Sequence, residues 1–113
     1  MEAREIIALI RQADLDNSLI DKAREAALEY AGDQEAETRL TTFGPMLNGY
    51  VTVKGEEYRL GFFMDKEMAE LYAKVFTRYM VLANQGKEKC SPFWFKEAKS
   101  YPLIQDKMKG WTF

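Results

Sequence analysis

The spacing of apolar residues changes from helical to alternating and back to helical along this chain. In residues 2–12 apolar residues recur every three or four positions, which predicts a first helix. A break at "DLDN" precedes a second helical pattern that ends at Gly32, and Ser18 with Asp21 forms a capping-box pattern at its start. Two helices joined by a short loop are typical of an antiparallel helical hairpin.

The middle of the chain alternates as β-strands do. The stretches "ETRLTTF", "YVTV" and "YRLGFF" are rich in β-branched and aromatic residues, and "GPMLNG" and "KGEE" are turn-like stretches between them. Three strands in sequence most simply form an antiparallel meander. Such a small sheet is marginal unless one face is covered.

The alternation also predicts which residues point into the core. Val51 and Val53 are expected to share the buried face of the second strand. On the third strand the same face is expected to carry Tyr58, Leu60 and Phe62.

A long amphipathic helix follows and supplies the cover. Asp65 is suited to cap its start, and Gly86 is expected to end it. A last short helix is predicted at about residues 103–109. The order is therefore αα-βββ-α-α, an α+β fold in a single domain over 1–113. The apolar face of the long helix is predicted to hold Met68, Leu71, Tyr72, Val75, Phe76, Tyr79, Met80 and Ala83.

Charge is spread unevenly over the 113 residues, whose net charge is −2. Residues 1–37 have ten acidic against four basic side chains, whereas residues 87–113 have three acidic side chains against six lysines. This asymmetry indicates either an interaction surface or two ends that lie side by side and compensate each other.

Composition argues against several classes of chemistry. The chain has no histidine and one cysteine, so Ser-His-Asp catalysis, Cys-His catalysis and a structural zinc site lack their residues. Neither of the common glycine-rich phosphate loops is present. We therefore expect no enzymatic activity, no cofactor and no metal. The N-terminus lacks the features of a signal peptide, which favours a cytoplasmic protein of bacterial or phage type without membrane contact.

Residues 50–72 resemble the second half of AP2-type DNA-binding domains and of related phage-integrase arm-binding domains. The resemblance is carried by Tyr50, Gly55, Leu60, Gly61, Phe63, Glu67, Ala69 and Tyr72. In that family a three-stranded sheet lies in the major groove and reads it with arginine and tryptophan. Here the strands and their turn offer Arg39, Lys54 and Arg59 beside Glu56 and Glu57, so the resemblance supports the βββα fold more than DNA binding.

The sequence favours a small non-enzymatic module that binds another protein or itself, such as the inhibitors and accessory proteins that phages and mobile elements encode. One candidate contact surface is the acidic helical hairpin, with Asp14, Asp16, Asp21, Glu25 and Glu29. The other is the C-terminal aromatic patch, with Trp94, Lys96, Lys99, Trp111 and Phe113.

Two alternatives remain open. The protein could bind nucleic acid through the β-meander or through the lysines and aromatic residues of "KEKCSPFWFKEAKSYP", although a pI near 5.2 supplies no overall attraction. That stretch could equally be a strap that seals the core. The second alternative is a small-molecule pocket between sheet and long helix, lined by Tyr58, Tyr72, Phe76 and Tyr79.

Overall fold

The computed structural model describes residues 1–84 and confirms the α+β class and the order αα-βββ-α over them. The predicted helix at residues 103–109 lies outside the described residues. The elements are α1 (Ala3–Leu15), a 3₁₀ turn (Asn17–Leu19), α2 (Ile20–Ala31), β1 (Glu37–Phe43), β2 (Met46–Val53), β3 (Glu56–Phe63) and α3 (Lys66–Asn84).

The helical hairpin packs through branched residues on α1 and alanines on α2. Ile6, Ile7 and Ile10 are at most 1% exposed. On α2 the buried positions include Ala23 and Ala27, whose small side chains let the helices approach closely.

The predicted capping box at the start of α2 is wrong. The carboxylate of Asp16 accepts hydrogen bonds from the N–H of Ser18 at 3.0 Å and from its hydroxyl at 2.7 Å. The Ser18 hydroxyl therefore acts as a donor to Asp16 and not as the cap of α2. Residues 17–19 form the 3₁₀ turn, and α2 begins at Ile20.

The three strands form an antiparallel meander with β2 in the centre, as predicted. The predicted turn "GPMLNG" is much shorter in the structure. Only Gly44 and Pro45 separate β1 from β2, and Met46 pairs with Phe43. Gly44 has a φ of +58°, a value that favours glycine in a tight turn.

A β-bulge interrupts the pairing of β2 with β3. Gly49 pairs with Gly61, and the next residue of β2, Tyr50, pairs with Arg59. Leu60 therefore has no residue of β2 opposite it. Gly61 has a φ of +105°, which side chains other than glycine rarely allow.

The bulge reverses the alternation of side chains at the end of β3. Tyr58 and Leu60 are buried as predicted, but the next buried aromatic residue is Phe63. Phe62 is half-buried and pairs with Asn48 on the opposite face. The prediction that Phe62 shares the buried face was therefore wrong, because it assumed an unbroken period of two.

Helix α3 lies at the centre of the domain. The Asp65 carboxylate caps it by accepting the N–H of Met68 at 3.1 Å. The helix contacts all three strands as well as α1 and α2, so much more than one stripe of it is buried. Its buried residues are Met68, Ala69, Leu71, Tyr72, Ala73, Val75, Phe76, Thr77, Tyr79 and Met80.

Arg11 of α1 joins the helical hairpin to β3, which is an edge strand of the sheet within residues 1–84. Its guanidinium donates to the carbonyl of Leu60 at 2.6 Å and to that of Phe62 at 2.8 Å. It also lies 4.3 Å from the ring centroid of Phe63 and 4.6 Å from that of Tyr72. Backbone carbonyls of β3 are thus occupied by a side chain, which protects an edge strand against pairing with another chain.

Candidate functional site

The sheet face opposite α3 forms an ordered surface of paired side chains. Residues that lie directly opposite each other on neighbouring strands point to the same face. The side chains of this surface therefore form rows that run across the sheet. Every member is exposed or half-buried. We call this surface the open face. Its rows are Glu37–Thr52–Glu57, Arg39–Tyr50–Arg59, Thr41–Asn48–Phe62 and Phe43–Met46.

Arg39 is held in place from two sides. Its guanidinium lies 4.0 Å from the ring centroid of Tyr50 on β2. It also donates two hydrogen bonds to Glu57 on β3, Nη2 to Oε1 at 2.8 Å and Nε to Oε2 at 3.2 Å. The hydrogen bonds to Glu57 raise the pKa of Arg39 above its ordinary value. This side chain therefore spans all three strands as a fixed cation.

Arg59 and Asn48 continue this network on the open face. Arg59 donates from Nε to the Asn48 Oδ1 at 3.2 Å, and its guanidinium lies 5.2 Å from the ring centroid of Phe62. Asn48 in turn donates to the hydroxyl of Tyr50 at 3.1 Å. Both arginines are thus connected through Tyr50 and Asn48, which restricts their rotamers before any partner binds.

One end of the open face is apolar. The rings of Phe43 and Phe62 lie 5.4 Å apart at an interplanar angle of 42°. Phe43 is 65% exposed, and Met46 beside it is half-buried. Beside them Arg59 lies against the Phe62 ring. Aromatic residues, methionine and arginine are the residue types enriched at protein–protein interfaces.

A concave feature lies among the helices, and we call it the helical groove. It has a volume of about 580 Å³. Its apolar lining comes from Met1, Ile6, Ala26, Tyr30 and Leu82, and its charged lining from Lys22, Glu25, Glu29 and Arg78. An adjoining depression shares Glu29, Tyr30 and Arg78 and extends to Asp33 and Glu35.

The structure separates the five acidic residues predicted as one contact surface. Asp14 accepts the N–H of Met64 at 2.9 Å and that of Asp65 at 2.8 Å, which ties the end of α1 to the start of α3. Asp16 is engaged by Ser18, whose hydroxyl and N–H lower the pKa of Asp16. Both carboxylates are thus used in the fold itself.

The other three acidic residues lie on α2. Asp21 accepts from Arg24 at 2.8 Å, and Arg24 also makes two hydrogen bonds to Glu67 of α3 at 2.5 and 2.8 Å. The hydrogen bonds from Arg24 lower the pKa of Glu67. Glu25 and Glu29 both line the helical groove.

The four residues predicted to line a pocket belong to the core. Tyr58, Tyr72, Phe76 and Tyr79 are each at most 4% exposed. The rings of Tyr58 and Phe76 lie 5.5 Å apart, and burial raises the pKa of the Tyr58 phenol. All four side chains belong to the core cluster of the domain, and the ligand pocket itself stays a prediction.

The C-terminal contact candidates Trp94, Lys96, Lys99, Trp111 and Phe113 lie outside the described residues, as does the strap predicted around them. Within residues 1–84, no three acidic or cysteine side chains are grouped as metal ligands. None of the helices in that part of the chain is long and apolar enough to cross a membrane.

The sequence indicates Arg39 and Arg59 as basic residues of the sheet but does not show the open face as a unit. The signal that could have found it is the short turn at Gly44–Pro45, which fixes the pairing of Arg39 with Tyr50.

Comparison with models of protein families, with curated proteins and with solved structures finds no match to this chain.

Proposed function

We propose that this protein is a non-enzymatic binding module that contacts another protein through the open face. The observation that carries the proposal is the network in which Arg39, Tyr50, Asn48 and Arg59 hold one another in position on an exposed surface. Tyrosine and arginine are among the residue types enriched at the positions that dominate binding energy at protein interfaces. Fixed rotamers lower the entropy lost on binding.

The chemistry of the open face also describes its partner. Its two arginines are matched by Glu37 and Glu57, so the surface has both signs of charge and no net excess. A partner that fits it would place an apolar side chain against Phe43. It would place positively and negatively charged groups over the row formed by Arg39, Tyr50 and Arg59. Such a mixed surface favours a folded protein over a uniformly charged polymer.

The wider role belongs to the same proposal. We take the protein to act in the cytoplasm as a regulator, inhibitor or accessory protein of the kind that phages and mobile elements encode. The support is compositional: the chain has no histidine, one cysteine and 13% aromatic residues.

Nucleic-acid binding through the same face is the second candidate. It is favoured by the position of Arg39 and Arg59 over aromatic rings on an open three-stranded sheet. Against it, the carboxylates of Glu37 and Glu57 lie in the row next to the two arginines, where they would repel phosphates. A gel-shift assay with duplex DNA and RNA at low salt tests this candidate, and salt-sensitive binding lost in Arg39→Ala and Arg59→Ala would support it.

A photo-crosslinking experiment tests the primary proposal. The crosslinking amino acid p-benzoylphenylalanine replaces Phe43 on the open face in one variant and Leu28 on α2 in the control. Both side chains are exposed, at 65% and 42%. We expect a crosslinked protein from position 43 that is lost when Arg59→Ala is added. Crosslinks from position 28 alone would contradict the proposal.

A further inference from the structure

The helical groove has features that indicate an occupant within the same chain. Its lining includes Leu82, which lies two residues before Asn84 and the end of α3. Residues 85–113 therefore follow directly from one end of the groove, and no long linker is needed to reach it.

The charges of the groove and of these residues are complementary. The groove and its adjoining depression have four acidic residues, Glu25, Glu29, Asp33 and Glu35, against Lys22 and Arg78. Residues 85–113 have six lysines against three acidic residues. The open face has equal numbers of both signs and offers the lysines no net attraction.

The apolar content matches as well. The groove exposes parts of Met1, Ala26, Tyr30 and Leu82 around the buried Ile6. Residues 85–113 supply six aromatic side chains, which can bury about 150–250 Å² each. They are Phe93, Trp94, Phe95, Tyr101, Trp111 and Phe113.

We propose that residues 85–113 dock into the helical groove of their own chain, with aromatic side chains on its apolar lining and lysines against Glu25 and Glu29. Attachment at Asn84 gives the segment an effective concentration in the millimolar range, which favours it over a separate molecule. The proposal concerns a surface distinct from the open face, so it stands or falls independently of the proposed function.

The single cysteine, Cys90, makes the proposal testable in the full chain. A nitroxide attached to Cys90 broadens the amide signals of nearby residues in an NMR spectrum. We expect strong broadening at Ala26 and Tyr30 of α2, which are distant from Cys90 in sequence. We expect no broadening at Tyr50 and Phe62 of the open face.

Three results would overturn the proposal. Broadening of Tyr50 and Phe62 would place the segment on the open face. Broadening limited to the last turn of α3 would show that the segment does not dock. The third result comes from a mixture in which one sample carries the nitroxide without ¹⁵N and the other carries ¹⁵N without the nitroxide. Broadening of the α2 signals in this mixture would show that the segment binds the groove of a second copy.

A charge reversal gives a second readout. Trp94 and Trp111 are the only tryptophans, so tryptophan emission reports on this segment alone. We expect Glu29→Lys to shift the emission to longer wavelength and to reduce the nitroxide broadening at Ala26. The matched control is Glu37→Lys, an equal charge change on the open face, which should leave both unchanged. Equal effects of the two variants would contradict docking in the groove.

Discussion

The guanidinium of Arg11 lies 4.3 Å from the ring centroid of Phe63, at the place where α1 meets the edge of the sheet. From there it donates hydrogen bonds to the carbonyls of Leu60 and Phe62. The bulge at Leu60 and Gly61 is what turns the Phe63 ring inward beneath this cation. One side chain thus links the helical hairpin, the edge strand and the core.

Replacing Arg11 should therefore destabilise the protein. We expect Arg11→Met to lower the free energy of unfolding by about 2 kcal/mol, because two carbonyls of β3 lose a charged donor. Arg11→Lys should lose less, since it keeps one donor and the charge. Urea denaturation measures the effect. As a matched control, Arg24→Met removes an arginine whose ion pairs are more exposed, and its loss should be smaller. An unchanged urea midpoint for Arg11→Met would contradict this role.

Asp14 should act as an anchor between distant parts of the chain. It accepts the backbone N–H groups of Met64 and Asp65, about 50 positions away. We expect Asp14→Ala to lower the free energy of unfolding by about 1–2 kcal/mol, because both donors lose a charged acceptor. Gln12→Ala, at an exposed position of α1, is the control and should change little. Equal thermal denaturation midpoints for the two variants would refute the anchor.

Gly49 should not tolerate a side chain. A Cβ atom there would lie 3.1 Å from Cε2 and 3.3 Å from Cδ2 of Phe63. Phe63 is fully buried and has Arg11 and Tyr72 against its ring, so it has little room to move. We expect Gly49→Ala to cost about 1–3 kcal/mol of stability.

A double-mutant cycle tests the cause of that loss. Phe63→Leu shortens the side chain that the new Cβ would meet. The combined variant Gly49→Ala/Phe63→Leu should be more stable than the sum of the two single losses predicts. Simple additivity would show that the Gly49 effect has another origin.

The Arg24–Glu67 ion pair predicts part of the acid sensitivity. Hydrogen bonds from Arg24 lower the pKa of Glu67 below its ordinary value of 4.5. The stability that this shift contributes is present above that value, and it is lost as the pH falls through the lower pKa of the folded state.

The free energy of unfolding, measured from neutral pH to about pH 3, should therefore decline less steeply below about pH 4.5 in Glu67→Gln than in the wild type. Arg24→Gln should flatten the curve similarly, and the double variant should add little. Wild-type slopes in both single variants would contradict the pairing.

The elements themselves could be predicted from local patterns. The alternation in "ETRLTTF" corresponds residue for residue to β1, and Asp65 caps α3 as its position indicated. Both depend on neighbours in sequence, for which periodicity and capping chemistry are direct signals.

Long-range relationships could not be predicted in this way. Gly61 inside a strand was a hint of a bulge, but its effect on Phe62 depends on pairing with β2. The role of Asp14 likewise depends on backbone groups that only the folded chain brings close. The acidic residues of the hairpin were chosen by charge, and the aromatic residues of the pocket by their spacing on β3 and α3. Neither signal shows which long-range contacts a side chain makes.

The most direct test of the central claim is the affinity of the protein partner captured through position 43 for defined variants of the full chain. Isothermal titration should show that Phe43→Ala and Arg59→Ala each weaken binding at least about tenfold, which corresponds to about 1.4 kcal/mol. Leu28→Ala, which removes an exposed apolar side chain from α2, should bind as the wild type does. Wild-type affinity in both open-face variants would contradict the claim that this face binds the partner.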